Sequence, residues 1–142
     1  MNLLSKLTFL PPYNQVNHHY QFQWSASGFQ FAFLGKSITL QISSHHTLYG
    51  PVILAVFIED ELYQKIDLKE GSHTYSLSFA KPEIMHVKII QITELQYGFF
   101  VLEDIQTDGE ISKLDKPSES ILWVGDSLSA GYGLEADTTP LV

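Results

Sequence analysis

The stretch Gly28-Phe29-Gln30-Phe31-Ala32-Phe33-Leu34-Gly35-Lys36-Ser37-Ile38-Thr39-Leu40-Gln41-Ile42 alternates apolar and polar residues with a period of two. Successive side chains of a strand point to opposite faces, so Phe29, Phe31 and Phe33 share one face. Ile38, Leu40 and Ile42 share a face in the second half, with Thr39 and Gln41 turned outward. Gly35-Lys36 reads as a turn, and the two halves as a hairpin.

The same pattern extends in both directions. Val52 to Ile58 is apolar on both faces, as a central strand covered twice would be. Glu59-Asp60-Glu61 reads as an acidic turn, followed by a strand over Leu62 to Leu68. Glu70-Gly71 leads into Ser72 to Phe79, which alternates again until Lys81-Pro82-Glu83 breaks it. Ile84 to Thr93 is the longest strand candidate, and Phe99 to Ile105 the last of the set. No ten-residue stretch between Gly28 and Ile105 carries a clean 3.6-residue period. Many short strands with regular turn signals predict a mainly β domain, a β-sandwich or jelly roll.

Past Asp108-Gly109-Glu110, read as a turn, the chain changes character. Lys113 to Ser120 is polar and carries Pro117, which reads as a linker. Ile121-Leu122-Trp123-Val124 is a fresh apolar strand. The expected organisation is therefore a sandwich over 1–112, a linker over 113–120 and the beginning of a second unit over 121–142.

Composition narrows the function classes. The 142 residues are 44% apolar and only 17% charged, ample for a core and unlike a disordered tail. The eight cations are all lysines, against sixteen acids, for a net charge of −8. No basic stripe exists to meet a phosphate backbone, which argues against nucleic acid as a partner. Met1 to Pro12 is interrupted by Ser5, Lys6 and Thr8, unlike a signal peptide. No apolar run approaches the roughly 20 residues that span a bilayer, so no membrane partner is expected. As encoded, the chain reads as cytoplasmic, with export open if its start lies upstream. Cysteine is absent, so thiolate chemistry and disulfides are excluded.

The segment Gly125-Asp126-Ser127-Leu128, between the apolar strand and Ser129-Ala130-Gly131-Tyr132-Gly133, resembles the first block of the GDSL, or SGNH, hydrolases. That resemblance implies an α/β hydrolase layer of which 121–142 is the first strand and nucleophile turn. It makes Ser127 the catalytic nucleophile and its backbone N–H an oxyanion donor. Asp126 braces the loop, and Gly125 and Gly131 support the turn. A serine hydroxyl at a strand end, with N–H groups of a helix start nearby, suits acyl transfer. The plainer alternative is an ordinary strand–turn in which Ser127 caps a helix.

Upstream, Trp24-Ser25-Ala26-Ser27-Gly28-Phe29-Gln30-Phe31, then His86-Val87-Lys88-Ile89-Ile90, and Thr93-Glu94 before Gly98 resemble the β-sandwich that precedes the catalytic domain in family 2 carbohydrate esterases. The resemblance implies an enzyme acting on acetylated polysaccharides or small acyl esters by an acyl-serine mechanism, with no cofactor. Two departures stand out: Glu59-Asp60-Glu61 replaces a common Asp-Gly turn, and Ser129-Ala130 varies the residues after the serine.

Only 22 residues run from Ile121 to Val142, whereas a hydrolase layer needs on the order of 150. All six histidines lie upstream of Ser127, while the family takes its base from near the C-terminus. The 142 residues alone are therefore expected to be inactive, and the 121–124 strand to promote self-association through an unpaired edge.

Other constellations give weaker signals. His18-His19 and His45-His46 invite a metal, but adjacent strand residues face opposite ways and no third ligand completes a set. Trp24 and Tyr97, at strand ends, are candidates for stacking on sugar, whereas Tyr75 reads as core packing. His86 reads as a packed or edge residue. The rival function is a non-catalytic carbohydrate-binding or interaction module.

Overall fold

The computed structural model describes residues 3–114. Among these are nine strands, all paired antiparallel: β1 (Thr8–Leu10), β2 (Tyr13–Val16), β3 (His19–Phe22), β4 (Gly28–His46), β5 (Ile53–Ile58), β6 (Glu61–Asp67), β7 (Gly71–Gln91), β8 (Gly98–Thr107) and β9 (Glu110–Ser112). The expectation of a mainly β fold holds. Met1 and Asn2, and the expected linker from Asp115, the 121–124 strand and the Gly125–Leu128 turn, lie outside the described residues.

The expected hairpin at Gly35-Lys36 does not form. β4 is one strand of 19 residues, and its neighbour β7 is one strand of 21. They pair from Gly28↔Ile90 to Gly35↔Glu83, then resume from Ser37↔Ser78 to Ser44↔Gly71. Lys36 alone on β4 thus opposes Phe79 to Pro82 on β7. Pro82, expected to break the strand, sits exposed in this irregularity, where a missing N–H costs no ladder bond. The odd excess of three residues on β7 also explains the sequence pattern. Inward positions are odd-numbered through Phe33 and even-numbered from Ile38, and all six side chains are buried.

The third strand bends at the same level. β8 pairs with Ile38–His46 of β4, and β9 with Ala32–Leu34. β8 and β9 are therefore successive pieces of one path along β4, interrupted at Asp108-Gly109, where a simple turn was expected. One Asp108 carboxylate oxygen accepts the N–H groups of both Lys36 and Ser37, at 3.0 Å each, satisfying donors that the bend removes from the ladder. A Cβ on Gly109 would lie 1.9 Å from the Leu34 carbonyl oxygen. Only glycine permits the two strands to approach this closely.

Because of this bend the sheet folds over on itself, while its strand path stays open from β2 to β6. Phe100 pairs with Phe22 on one side and Ser44 on the other, and Phe29 precedes Ser44 by 15 residues. A straight strand would put them about 50 Å apart. Instead the Phe22 and Phe29 rings are 6.2 Å apart, centroid to centroid. Phe9 of β1 likewise lies 3.9 Å from Tyr20 of β3. The residues between form one core, with Phe22, Phe31, Phe33, Leu54, Val87 and Phe100 almost wholly removed from water. β5 is less covered than expected: Leu54 and Val56 are buried, but Ile53 and Phe57 on its other face only half so. The acidic hairpin turn does form, with Glu59 and Asp60 both at positive φ, as a right-twisted two-residue connection requires.

The amide hydrogen bonds from Ser37 and Lys36 hold the Asp108 carboxyl below its ordinary range. A depressed carboxyl pKa stabilises the fold above the unfolded-state value, and that contribution is lost as pH falls through the folded one. Thermal unfolding followed between pH 6 and about pH 3 should show a shallower acid decline in Asp108→Asn than in the parent. Gly109→Ala should lower stability by about 2–3 kcal/mol in urea titration, because backbone must shift to admit the methyl.

Candidate functional site

One end of the molecule is organised by a single buried amide. Val87, Ile89 and Gln91 occupy successive inward positions at the end of β7, and Gln91 is fully buried. Its Nε2 donates to the carbonyls of Gln23 (2.8 Å), Thr93 (3.1 Å) and Gly98 (3.4 Å). Its main chain exchanges bonds with Ala26 and Ser27. Ser25 Oγ donates to the Thr93 carbonyl, 3.0 Å away. The connections 23–27 and 92–97 are thereby locked together. A third, 47–50, joins them through Thr47, which donates from its N–H to Tyr97 and from its hydroxyl to Gln96. An inward-phased glutamine at a strand end was the signal for this hub, and sequence reading passed over it.

These connections carry the two aromatic residues expected to meet sugar. Trp24 is 53% exposed. It borders a shallow pocket of about 80 Å³, together with Pro12, Tyr13, Asn14, Gln21 and Gln23. Tyr97 is not part of that pocket. It is half-buried and lies 6.3 Å from the exposed Tyr49. The structure therefore separates the two candidates.

The walls of the Trp24 pocket follow from strand phase. Asn14 pairs with Gln21, so their side chains share the outward face of the β2–β3 hairpin, and Gln23 lies two residues further on. Tyr13 points the other way, its ring 5.3 Å from Phe9. Tyr75 packs against the core as expected, and its hydroxyl accepts the Lys69 N–H.

A second concavity, about 200 Å³, lies on the outer face of β8, β4 and β7, lined by Thr39, Gln41, Thr74, Asp104 and Gln106. Its groups are already engaged with one another. Gln41 donates to Ser72, Ser72 to Glu103, and Thr74 to Gln41, all within 2.8 Å.

His45 and His46 depart from expectation. Instead of facing opposite ways without a common partner, both Nδ1 atoms lie 3.5 Å from the Glu70 carboxylate, because β4 ends beside the β6–β7 turn. The His46 N–H also donates to Glu70, and this bond, with smaller help from the two imidazoles, lowers the Glu70 pKa. Among the described residues no group of three or more ligating side chains is placed to hold a metal ion. His86 is half-buried, with its Nε2 2.8 Å from Gln30 Oε1. Nothing here assembles a hydrolytic centre: Gly125, Asp126, Ser127 and Gly131 lie outside the described residues.

Comparison with known proteins settles the lineage. The family model described as Carbohydrate esterase 2 N-terminal matches residues 14–117. The chain belongs to this family. The match takes in β2 to β9, and therefore both the bend and the Gln91 hub.

A curated relative, the acetylxylan esterase / glucomannan deacetylase of Cellvibrio japonicus, is 26% identical over 116 residues, covering 80% of this chain and 31% of that protein. The solved family two carbohydrate esterase from Cellvibrio japonicus superposes with a TM-score of 0.81 at 19% identity, over 95% of this chain and 41% of that one. A family 2 enzyme with a carbohydrate binding domain, from Corynascus thermopiles (Myceliophthora fergusii), gives 0.70 at 27% identity, over 89% and 37%. The chain thus covers between 31% and 41% of the length of these relatives.

Replacing Gln91 by Met keeps the size and removes the buried donations of its Nε2. We expect Gln91→Met to cost about 1–3 kcal/mol in urea unfolding. Faster amide exchange at Ala26 and Ser27, with the β4–β7 ladder unchanged, would place the loss at this end of the molecule.

Proposed function

We propose that the chain is the N-terminal part of a carbohydrate esterase. In this reading residues 1–112 are an accessory sandwich, 113–120 a linker and 121–142 the opening of an SGNH-type catalytic domain. The observation that carries it is order: a carbohydrate esterase 2 N-terminal match over 14–117, followed in sequence by the apolar run Ile121-Leu122-Trp123-Val124 and Gly125-Asp126-Ser127-Leu128. The reaction proposed for the longer enzyme is deacetylation of a polysaccharide such as xylan or glucomannan, in keeping with the relative's name.

Chemically, the Ser127 hydroxyl attacks the acetyl carbonyl carbon while a general base takes its proton. The oxyanion is held by backbone N–H groups, that of Ser127 among them. Collapse expels the sugar hydroxyl and leaves acetyl-serine, which water then hydrolyses to acetate. The base is not among the histidines of this chain if it follows the serine, as the family's pattern implies, since all six precede it. Within the sandwich, His45, His46 and His73 engage Glu70, and His86 engages Gln30.

A second reading, a carbohydrate-binding module that works without catalysis, is favoured by the exposed Trp24 beside its pocket. In that reading Trp24 is where a glycan would touch the sandwich, while Tyr97 is turned to Tyr49.

The 142-residue chain should hydrolyse p-nitrophenyl acetate no faster than free imidazole at matched concentration. Joined at its C-terminus to the remainder of the Cellvibrio catalytic domain, it should gain turnover that Ser127→Ala lowers by about 10³-fold or more. Turnover unaffected by that substitution would refute the nucleophile assignment.

A further inference from the structure

We infer that the pocket beside Trp24 is a subsite for an uncharged glycan, with the indole as platform and Asn14, Gln21 and Gln23 as hydrogen-bonding wall. The inference builds on the carbohydrate reading above and narrows it to one place and one ligand chemistry. Three features converge there. Trp24 keeps about half its surface in water although it is the largest side chain type, held at a strand end by a connection that Gln91 locks. An indole so placed offers a flat apolar face to the C–H face of a pyranose. Secondly, the three carboxamides stand together and make no side-chain hydrogen bond within the described residues. Each presents an acceptor and two donors, the complement of a vicinal diol. The larger trough around Gln41 differs, since the Gln41 carboxamide is already bonded to Ser72 and Thr74.

Thirdly, no residue bordering the pocket is charged, and the chain as a whole carries −8. A uronate or other anionic sugar would find no cation bordering the pocket and a chain of like net charge. A neutral chain of hexose or pentose units meets neither obstacle. At about 80 Å³ the pocket is too small to enclose a ring, so it would take the hydroxyl edge of one sugar while the ring lies on Trp24. Rigidity matters equally. The hairpin is pinned to β8 by its β3 pairing and the Trp24 connection by Gln91, so little ordering is required on binding.

Affinity electrophoresis of the whole 142-residue chain tests this, with glucomannan, arabinoxylan or polygalacturonate cast in the gel. Retardation by a neutral polymer and none by polygalacturonate is the expected result. Trp24→Ala and Gln21→Ala should each weaken retardation by about tenfold in affinity, and Tyr97→Ala should leave it unchanged. In a Trp123→Phe background, where Trp24 is the remaining tryptophan, added oligosaccharide should shift its emission. Urea midpoints equal to the parent's would show that the variants fold. Retention that survives Trp24→Ala but disappears in Tyr97→Ala overturns the subsite while leaving a carbohydrate role intact. Equal retention by polygalacturonate overturns the ligand chemistry, and no retention by any polymer overturns the subsite itself. None of these outcomes bears on the Ser127 assay, which judges the esterase reading separately.

Discussion

An aspartate oxygen shared by two backbone N–H groups sits where the fold bends. Three adjacent strand paths bend at one level: β4 at Gly35-Lys36, β7 across Phe79 to Pro82, and the β8–β9 path at Asp108-Gly109. A bend in a ladder leaves backbone donors without strand partners. Asp108 supplies the missing acceptor to Lys36 and Ser37, and Gly109 removes the side chain that would keep the paths apart. With the bend in place, a sheet that would otherwise be long and open brings its two halves face to face. Phe22 then meets Phe29, and the six buried phenylalanine and aliphatic positions of β4 serve one core.

The bend also decides what the ends of the sheet can offer. Long strands that turn back bring their connections together, and at one end Gln91 gathers three carbonyls from two connections. A buried carboxamide with three main-chain partners is a rigid junction, unlike a collection of surface loops. Trp24 is presented on that junction and not on a mobile tip, while Tyr97 is diverted to a separate contact with Tyr49. Rigid presentation is what a carbohydrate surface needs, because sugar contacts are individually weak and cannot bear a large ordering cost.

Much of the architecture was legible in the chain. Alternation put Phe29, Phe31, Phe33, Ile38, Leu40 and Ile42 inward, and all six are buried. It misplaced the connection between the two triplets, because glycine followed by a polar residue marks a hairpin turn and a bulge equally well. The switch from odd to even inward positions was visible, yet a turn and a bulge with an odd excess of residues both produce it. Pro82 misled for a related reason: it forbids a ladder bond only where the partner strand stays in register. β1, β2 and β9 are short, and β2 is exposed along its whole length, so they left no periodic signal. Adjacent histidines were expected to diverge, and a carboxylate from a turn 24 residues away instead reaches both.

By itself the sequence determined the strand class, the inward face of most strands, the absence of thiol chemistry and the lineage that its ordered segments resemble. Each of these depends on residue type and local spacing, which backbone geometry converts directly into direction and face. Tertiary structure alone decided that β4 and β7 continue through their glycine and proline, that Gln91 joins distant connections, and that Trp24 rather than Tyr97 borders a pocket. Those outcomes depend on which strands lie side by side. Partners in a sheet are chosen by burial and hydrogen bonding over the whole molecule, and no local window contains both members of the pair.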